Sequence, residues 1–509
     1  MAVGDFHFDS VDEAATTRLA GWLAAALDVP ALIFLNGDLG AGKTAFARGF
    51  IRACCGASTQ VPSPTFALVQ PYAAAQFGAP AILHADLYRL ADPQEIDELG
   101  LIDALGTQIC LIEWAANGDG VLPAADIEVT LDNMDSQDDG KDDARRITIR
   151  AAAPIIEKLQ AAKARDEDLQ GFLHQAGWGA ARRAALAGDA STRRYERVQL
   201  NEQKAVLMDW QAAPDGPAIY DGQPYSKVAH LAEAMPRFAD MVGWLREAGL
   251  AAPMLYALDR PAGFALLEDF GDHTIANDTT LDRQTFYFEA VETLLHLHTQ
   301  TPASFLPAYD GAVQAIETSL FLNWYLPWRG VAVSNSAKAA WQTLWQTLGD
   351  KLLAETPVAV LRDFHSVNLI WRPHAQGRFR IGLIDVQDAL KGHAAYDLAS
   401  LIYDARVDVA PAHQAHALAH YLTRRFGDDE TARAAFTAAL AICTAQRNLK
   451  IAGIFIRLAE RDGKPAYLAH LPRILGYIRT ALATPILQPV NDWLAAHAPH
   501  ALDDVTDTQ

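Results

Sequence analysis

The sequence predicts a small α/β domain over residues 1–155, followed by a two-lobed α+β domain over residues 167–500. Three observations carry this. A buried-strand pattern runs into a glycine-rich turn and a helix near residues 31–55, short strands recur around 193–210 and 263–269, and an Ala/Leu-rich helical stretch runs from about 280 to 500. A length of 509 residues fits about three structural units, here one domain and two lobes divided near residue 275. Half of the residues are hydrophobic, enough for sizeable cores, which excludes general disorder.

The elements follow in order. Ser10 with Glu13 reads as a capping box for a first helix carrying Leu19, Trp22, Leu23 and Leu27, ended by Pro30. Residues 31–35 form a short apolar run suited to a buried strand, and residues 44–55 form a helix closed by Gly56. Residues 81–85 and 109–113 are further strands. Residues 126–131 and 146–150 are expected to pair as a hairpin with the polar tip 135–143. A helical connector is expected over 151–166, and a frayed tail over 503–509.

The net charge is −20, and residues 1–150 hold 9 basic against 22 acidic side chains, leaving only −7 for the rest. No strong direct grip on nucleic acid is therefore expected. Four cysteines, without a CxxC pair, exclude a disulfide framework and a zinc cluster. The N-terminus lacks signal-peptide features, and no apolar run reaches about 18 residues. The expected location is the cytoplasm, with no membrane contact.

Gly37-Asp38-Leu39-Gly40-Ala41-Gly42-Lys43-Thr44 matches GxxxxGK[ST], with a strand before it and a helix after it. The glycines let successive N–H groups face phosphates, and the helix start adds a positive dipole end. Lys43 would reach the outer phosphates, and the Thr44 hydroxyl would ligate magnesium. The first domain therefore reads as a P-loop NTPase that takes ATP and Mg2+. Glu113 ends an apolar strand, where this fold puts acidic residues beside phosphates. For Asp86 the alternative is a helix cap or an ion pair with Arg89, and for Trp114 plain packing.

Ser63-Pro64-Thr65-Phe66, His84-Ala85-Asp86-Leu87-Tyr88-Arg89 and Leu111-Ile112-Glu113-Trp114 follow the P-loop in the order and spacing of the TsaE family. The resemblance covers about residues 5–155. It implies an ATPase subunit of the machinery that makes threonylcarbamoyladenosine in tRNA, partnered by the other subunits of that complex. It further implies a nucleotide-sensing loop at Thr65, Asp86 and Glu113 near magnesium and the attacking water, and Trp114 packed nearby.

The second domain carries Leu361-Arg362-Asp363-Phe364-His365-Ser366-Val367-Asn368, which contains the D-x4-N spacing of a kinase catalytic loop. Asp363 would accept the proton of an acceptor hydroxyl, and Asn368 would hold magnesium. Asp385, at the end of the next apolar strand, is the natural second magnesium ligand. The stretch Gly188-Asp189-Ala190-Ser191-Thr192-Arg193-Arg194-Tyr195, followed by Val206-Leu207-Met208, resembles the nucleotide-covering hairpin of aminoglycoside-phosphotransferase-like kinases. That implies a two-lobed, protein-kinase-like fold. The lysine expected on the third strand is missing, and Lys204, Arg193, Arg194 and Lys227 are candidates to replace it.

The blocks around Glu268-Asp269, Asp385–Asp388, Tyr396-Asp397, Gln446–Lys450 and Gly453–Arg457 resemble the AmgK group over about residues 167–500. The resemblance implies an anomeric kinase of N-acetylmuramate and N-acetylglucosamine, with Glu268 at a hinge where backbone contacts the adenine. Alternatives are an aminoglycoside or other small-alcohol acceptor, or a non-catalytic pseudokinase. Arg447, Lys450 and Arg457 could line a sugar pocket or form ion pairs with Asp397 or Glu460. Trp324, Tyr325 and Trp328 could stack on a sugar or belong to the core.

Overall fold

A computed structural model describes the chain apart from residues 1, 28, 57–58, 65–66, 73–79, 91, 119, 135–143, 187–192, 212–217, 221, 233 and 505–509. The hairpin tip, Thr65 and Ser191 therefore lie outside the described residues. The chain divides into two compact units, Met1–Asp189 with Asp462–Lys464, and Ala190–Arg461 with Pro465–Gln509.

In the first unit a sheet collects strands β1 (Val3–Ser10), β2 (Ala31–Asn36), β3 (Val69–Tyr72), β4 (Ile82–Asp86), β5 (Ile109–Glu113), β6 (Ile127–Asn133) and β7 (Arg145–Ala152), in the order β1-β7-β6-β2-β5-β4-β3. The central strands β6, β2, β5 and β4 are parallel. The near-continuous apolar runs of β2, β4 and β5 are buried on both faces, as parallel strands require. Helices α1 (Glu13–Ala26) and α2 (Lys43–Cys55) bury Leu19, Leu23, Phe46 and Phe50 against one face. The short helix α3 (Leu101–Ala104) helps cover the other face, with Leu83, Ile96 and Ile112.

Two local expectations change. The cap of α1 is Asp12, whose carboxylate accepts from Ala15 N at 2.7 Å; Ser10 instead ends β1 and bonds the Thr16 hydroxyl at 2.7 Å. A second oxygen-bearing residue two positions on competed for the cap, and the edge strand before it claimed Ser10. The connector continues past residue 166 as helix α4 (Ala153–Gln175).

In the second unit an antiparallel sheet places strands Leu255–Asp259, Phe264–Glu268, Gln203–Asp209 and Arg194–Leu200 side by side in that order. The helix Met235–Glu247 shares its core with Met208 and Leu267. The helical remainder is built around Glu430–Glu460, a 31-residue helix. It is long and apolar enough to cross a membrane, but 94% of its apolar window is buried inside the protein. A Cβ on Gly453 would stand 2.3 Å from the Leu320 carbonyl oxygen, so glycine permits this helix its close crossing. Trp324 and Trp328 pack against this core, and the buried Tyr325 hydroxyl donates to Ala501 O at 2.7 Å. Tyr325 is core, and Trp324 and Trp328 are half-buried against it.

Candidate nucleotide sites

The first site stands at the carboxyl ends of the parallel strands, where open α/β sheets bind ligands. Register aligns Leu35 and Asp86 with Glu113, so β2, β4 and β5 end together. Residues Gly37, Asp38, Gly40, Ala41 and Gly42 form the turn from β2 into α2, and Lys43 and Thr44 open that helix. Gly37 has φ 141°, and a Cβ there would meet the Leu131 carbonyl oxygen at 2.4 Å, so only glycine fits the turn.

The side chains converge. The Lys43 ammonium donates to the Gly37 and Asp38 carbonyls at 2.7 and 2.8 Å and lies 3.8 Å from the centre of the Trp114 ring. Burial pushes its pKa down, opposed by the charges of Glu113, Asp86 and Asp38. The Thr44 hydroxyl donates to Glu113 at 2.9 Å, and the His84 Nε2 lies 2.9 Å from the same carboxylate, with both His84 and Glu113 buried. Asp86 accepts from the Ser63 hydroxyl at 3.2 Å and from Tyr88 N at 3.1 Å. Asp86 thus caps its own turn while facing the loop before β3. His84 is a partner of Glu113, a role that the apolar strand around it did not announce. Arg145 Nε donates to Ala41 O at 3.2 Å, bracing the loop from β7.

The second site is held by buried carboxylates. Asp397 accepts from Leu361 N at 2.7 Å and Arg362 N at 3.0 Å, and Asp404 accepts from Ser366 N at 2.8 Å. Between these anchors Asp363 presents a side chain that is 39% exposed, with His365 3.7 Å away. Burial opposes its ionisation, yet His365, Lys450 and Arg362 hold it well below the ordinary carboxylate range. Asn368 Nδ2 donates to the Asp363 carbonyl at 3.1 Å, and Ile384 N donates to the Asn368 carbonyl, which ties the loop to the Asp385 segment. Arg362 and Asp385 adopt left-handed backbone, φ 68° and 57°, uncommon for residues with side chains. Burial raises Asp388, and the charges of Asp363 and Asp385 push it further, so the three carboxylates share one electrostatic neighbourhood.

Arg193 Nη1 donates to Asp385 Oδ1 at 2.6 Å, whereas Arg194 is exposed at the start of its strand. Glu268 is clasped by Arg372 at 3.1 Å and donates its backbone N–H to Met254 O. Beside it lies a polar cavity of about 700 Å³ lined by Arg197, Lys204, Asp269, Gly271 and Asp272, in which Arg197 pairs with both Asp269 and Asp272. Lys450 and Arg447 are buried, Lys450 reaching Glu317 at 3.4 Å and the Tyr396 hydroxyl at 2.9 Å. Glu317, remote in sequence from every motif, is therefore Lys450's anionic partner. Among the described residues no group of three or more His, Cys, Asp or Glu side chains is arranged to hold a metal. One or two protein ligands per site, completed by phosphates and water, is the pattern that magnesium takes with nucleotides.

Comparison with known proteins agrees with both halves. The family described as "Threonylcarbamoyl adenosine biosynthesis protein TsaE" matches residues 10–145, and the phosphotransferase enzyme family matches residues 182–436. The chain is 46% identical over 124 residues to a tRNA threonylcarbamoyladenosine biosynthesis protein TsaE of Rickettsia conorii, covering 24% of this chain and 69% of that one. It is 35% identical over 349 residues to an N-acetylmuramate/N-acetylglucosamine kinase of Caulobacter vibrioides, covering 64% of this chain and 95% of that one. A kinase of the same description from Pseudomonas aeruginosa is 34% identical over 337 residues, covering 63% and 90%. The chain thus belongs to the TsaE family through its first half and to the phosphotransferase enzyme family through its second, a fusion of a TsaE-like ATPase with a sugar-kinase-like phosphotransferase.

Proposed function

We propose that the second half transfers the γ-phosphoryl group of ATP to an amino-sugar hydroxyl, N-acetylmuramate or N-acetylglucosamine at the anomeric position. The similarity to N-acetylmuramate/N-acetylglucosamine kinases over 349 residues supports this acceptor, and it carries the proposal. Asp363 takes the hydroxyl proton as the sugar oxygen bonds to phosphorus and the bond to the ADP oxygen breaks. Its strongly acidic character keeps it ionised and oriented, so its part is chiefly to position the acceptor. Asn368 and Asp385 are the residues that would hold Mg2+, which neutralises phosphate charge when bound. The phosphates would draw on cations and backbone N–H groups rather than on the acidic surface.

The first half, in this reading, hydrolyses ATP for the partner subunits of a tRNA threonylcarbamoyl-transfer complex. Gly37 to Lys43 would cradle the phosphates, and Thr44, whose hydroxyl donates a hydrogen bond to Glu113, would offer its oxygen to magnesium. Glu113, held also by His84, would orient the attacking water; Asp86 would help hold the metal, and Trp114 packs on Lys43. Thr65 and Ser191 keep the roles that resemblance gives them, at the sensing loop and the phosphate-covering hairpin, and Glu268 keeps its place at the hinge.

The test incubates the full chain with labelled ATP and either N-acetylmuramate, N-acetylglucosamine or an aminoglycoside. Phosphorylation of the amino sugars, abolished in Asp363→Asn with ATP binding retained, is the expected result. Transfer to the aminoglycoside alone would reverse the acceptor assignment, and ATP binding without any transfer would favour a regulatory module.

A further inference from the structure

We infer that Arg193 supplies the phosphate-binding cation that the sheet of this kinase lobe lacks, an inference that rests on the kinase reading above. Catalysis of phosphoryl transfer needs a protein cation beside the inner phosphates. The strand Gln203–Asp209 cannot provide one from the face it turns to the lobe core. There Val206 and Met208 pair with Leu267 and Ala265, and Met208 is fully buried among apolar side chains. The other arginines of this lobe are engaged elsewhere or exposed. Arg197 is pinned between Asp269 and Asp272, Arg237 donates to the His230 and Ala389 carbonyls at 2.8 and 2.7 Å, and Arg194 is exposed.

Arg193 alone of this set reaches the metal-ligand candidate. Its side chain is 13% exposed, its guanidinium lies 5.0 Å from the centre of the Trp210 ring, and Nη1 stands 2.6 Å from Asp385 Oδ1. Gln387 Nε2 donates to the same Asp385 oxygen at 3.0 Å. A guanidinium is a planar fork matched to phosphate oxygens, and stacking on an indole pre-orders it. It crosses from the sheet lobe to the strand end that carries the metal-ligand candidate. Without nucleotide it neutralises Asp385. With nucleotide, the phosphates compete for the same donors, and Arg193 takes the place that a strand lysine holds in other kinases.

The test uses the full chain carrying Lys43→Ala, to silence the P-loop, titrated with Mg-ATP and separately with adenosine by calorimetry. Arg193→Met should weaken ATP binding about 10–100-fold, the usual range for losing a charge-assisted hydrogen bond, and leave adenosine within about twofold. Arg193→Lys should recover most of the loss. In steady state the KM for ATP should rise in Arg193→Met while that for the sugar does not. Unchanged ATP affinity, an equal loss for adenosine, or no ATP binding by the parent chain would overturn the inference. If no amino sugar is phosphorylated but the ATP-against-adenosine split persists, the acceptor assignment falls and the role of Arg193 stands.

Discussion

Glu317 offers the sharpest stability prediction. Its side chain is fully buried and accepts from Arg362, from the Tyr309 hydroxyl, from Gln446 Nε2 at 2.9 Å and from Lys450 at 3.4 Å. Arg362 and Lys450 are themselves buried, at 3% and 8% exposure. Glu317→Gln keeps the shape and removes the charge, leaving two buried cations without their anion. Breaking a buried pair in this way costs about 3–5 kcal/mol. Burial would raise the Glu317 pKa, but Lys450, Arg362 and the two neutral donors win and hold it at about 2. A drop from the ordinary 4.5 to about 2 corresponds to about 3 kcal/mol, in agreement. The folded pKa is depressed, so this contribution is fully present above about pH 4.5 and is lost as pH falls toward 2. For a unit of about 300 residues, 3–5 kcal/mol lowers the unfolding midpoint by about 5–8 °C. Eight of the 11 tryptophans lie in the second unit, so intrinsic fluorescence reads its melting. Asp240→Asn, which breaks the exposed pair with Arg260, is the control and should move the midpoint by less than about 2 °C. A Glu317→Gln midpoint within that control range would refute the reasoning.

Other outcomes follow from the same geometry. Glu113→Gln should lower ATP hydrolysis by about 100-fold or more, with nucleotide affinity, read by fluorescent-ATP titration, little changed; retained hydrolysis would remove Glu113 from the chemistry. Gly37→Ala forces a Cβ into the Leu131 carbonyl at a left-handed φ, a strain of about 1–3 kcal/mol. It should weaken ATP binding to the first half and leave sugar phosphorylation untouched. Burial pushes Asp397 up to about 7, against its two backbone donors. A carboxyl raised in the folded state favours folding while protonated, so its contribution declines as pH rises from about 4 through about 7. Denaturant titrations of Asp397→Asn across that window should show a flatter pH dependence than the parent.

Local chemistry made some parts legible in the sequence and hid others. The loop from Gly37 to Thr44 was readable because a glycine turn needs particular residues at particular spacings, and the structure sets them between β2 and α2. The strands ending at Asp86 and Glu113 were readable as apolar runs. Their meeting was not, because register between parallel strands depends on pairings far apart in the chain. The edge strand β1, with its alternating and mostly exposed Val3–Ser10, sends only a faint periodic signal, and its existence moved the helix cap from Ser10 to Asp12. The kinase loop announced itself through Asp363 and Asn368. Of the groups that hold it, Asp397 stood in a block that carried the resemblance, whereas Glu317 and Asp404 are single acids within helical or apolar stretches and sent no signal. Their meaning comes only from the backbone and cations that folding delivers to them.

Both sites solve the same electrostatic problem, and the solution bears on how each responds to nucleotide. The chain carries −20, with −13 in its first 150 residues, so neither site can rely on its surroundings to attract a polyphosphate. Each sets a cation beside acidic groups and occupies it with the protein's own oxygens: Lys43 with the Gly37 and Asp38 carbonyls, Arg193 with Asp385. In the proposed roles those contacts are exchanged for phosphate contacts on binding, so affinity would report a difference between two well-made arrangements rather than the filling of a bare charge. The exchange differs between the halves. Lys43 would give up neutral carbonyls, whereas Arg193 would give up a carboxylate proposed to hold the metal. ATP binding in the second half should consequently fall more steeply when magnesium is removed by chelation than binding in the first, with Lys43→Ala and Arg193→Met chains separating the two signals. Equal magnesium dependence in both halves would show that the Arg193–Asp385 pair does not compete with nucleotide.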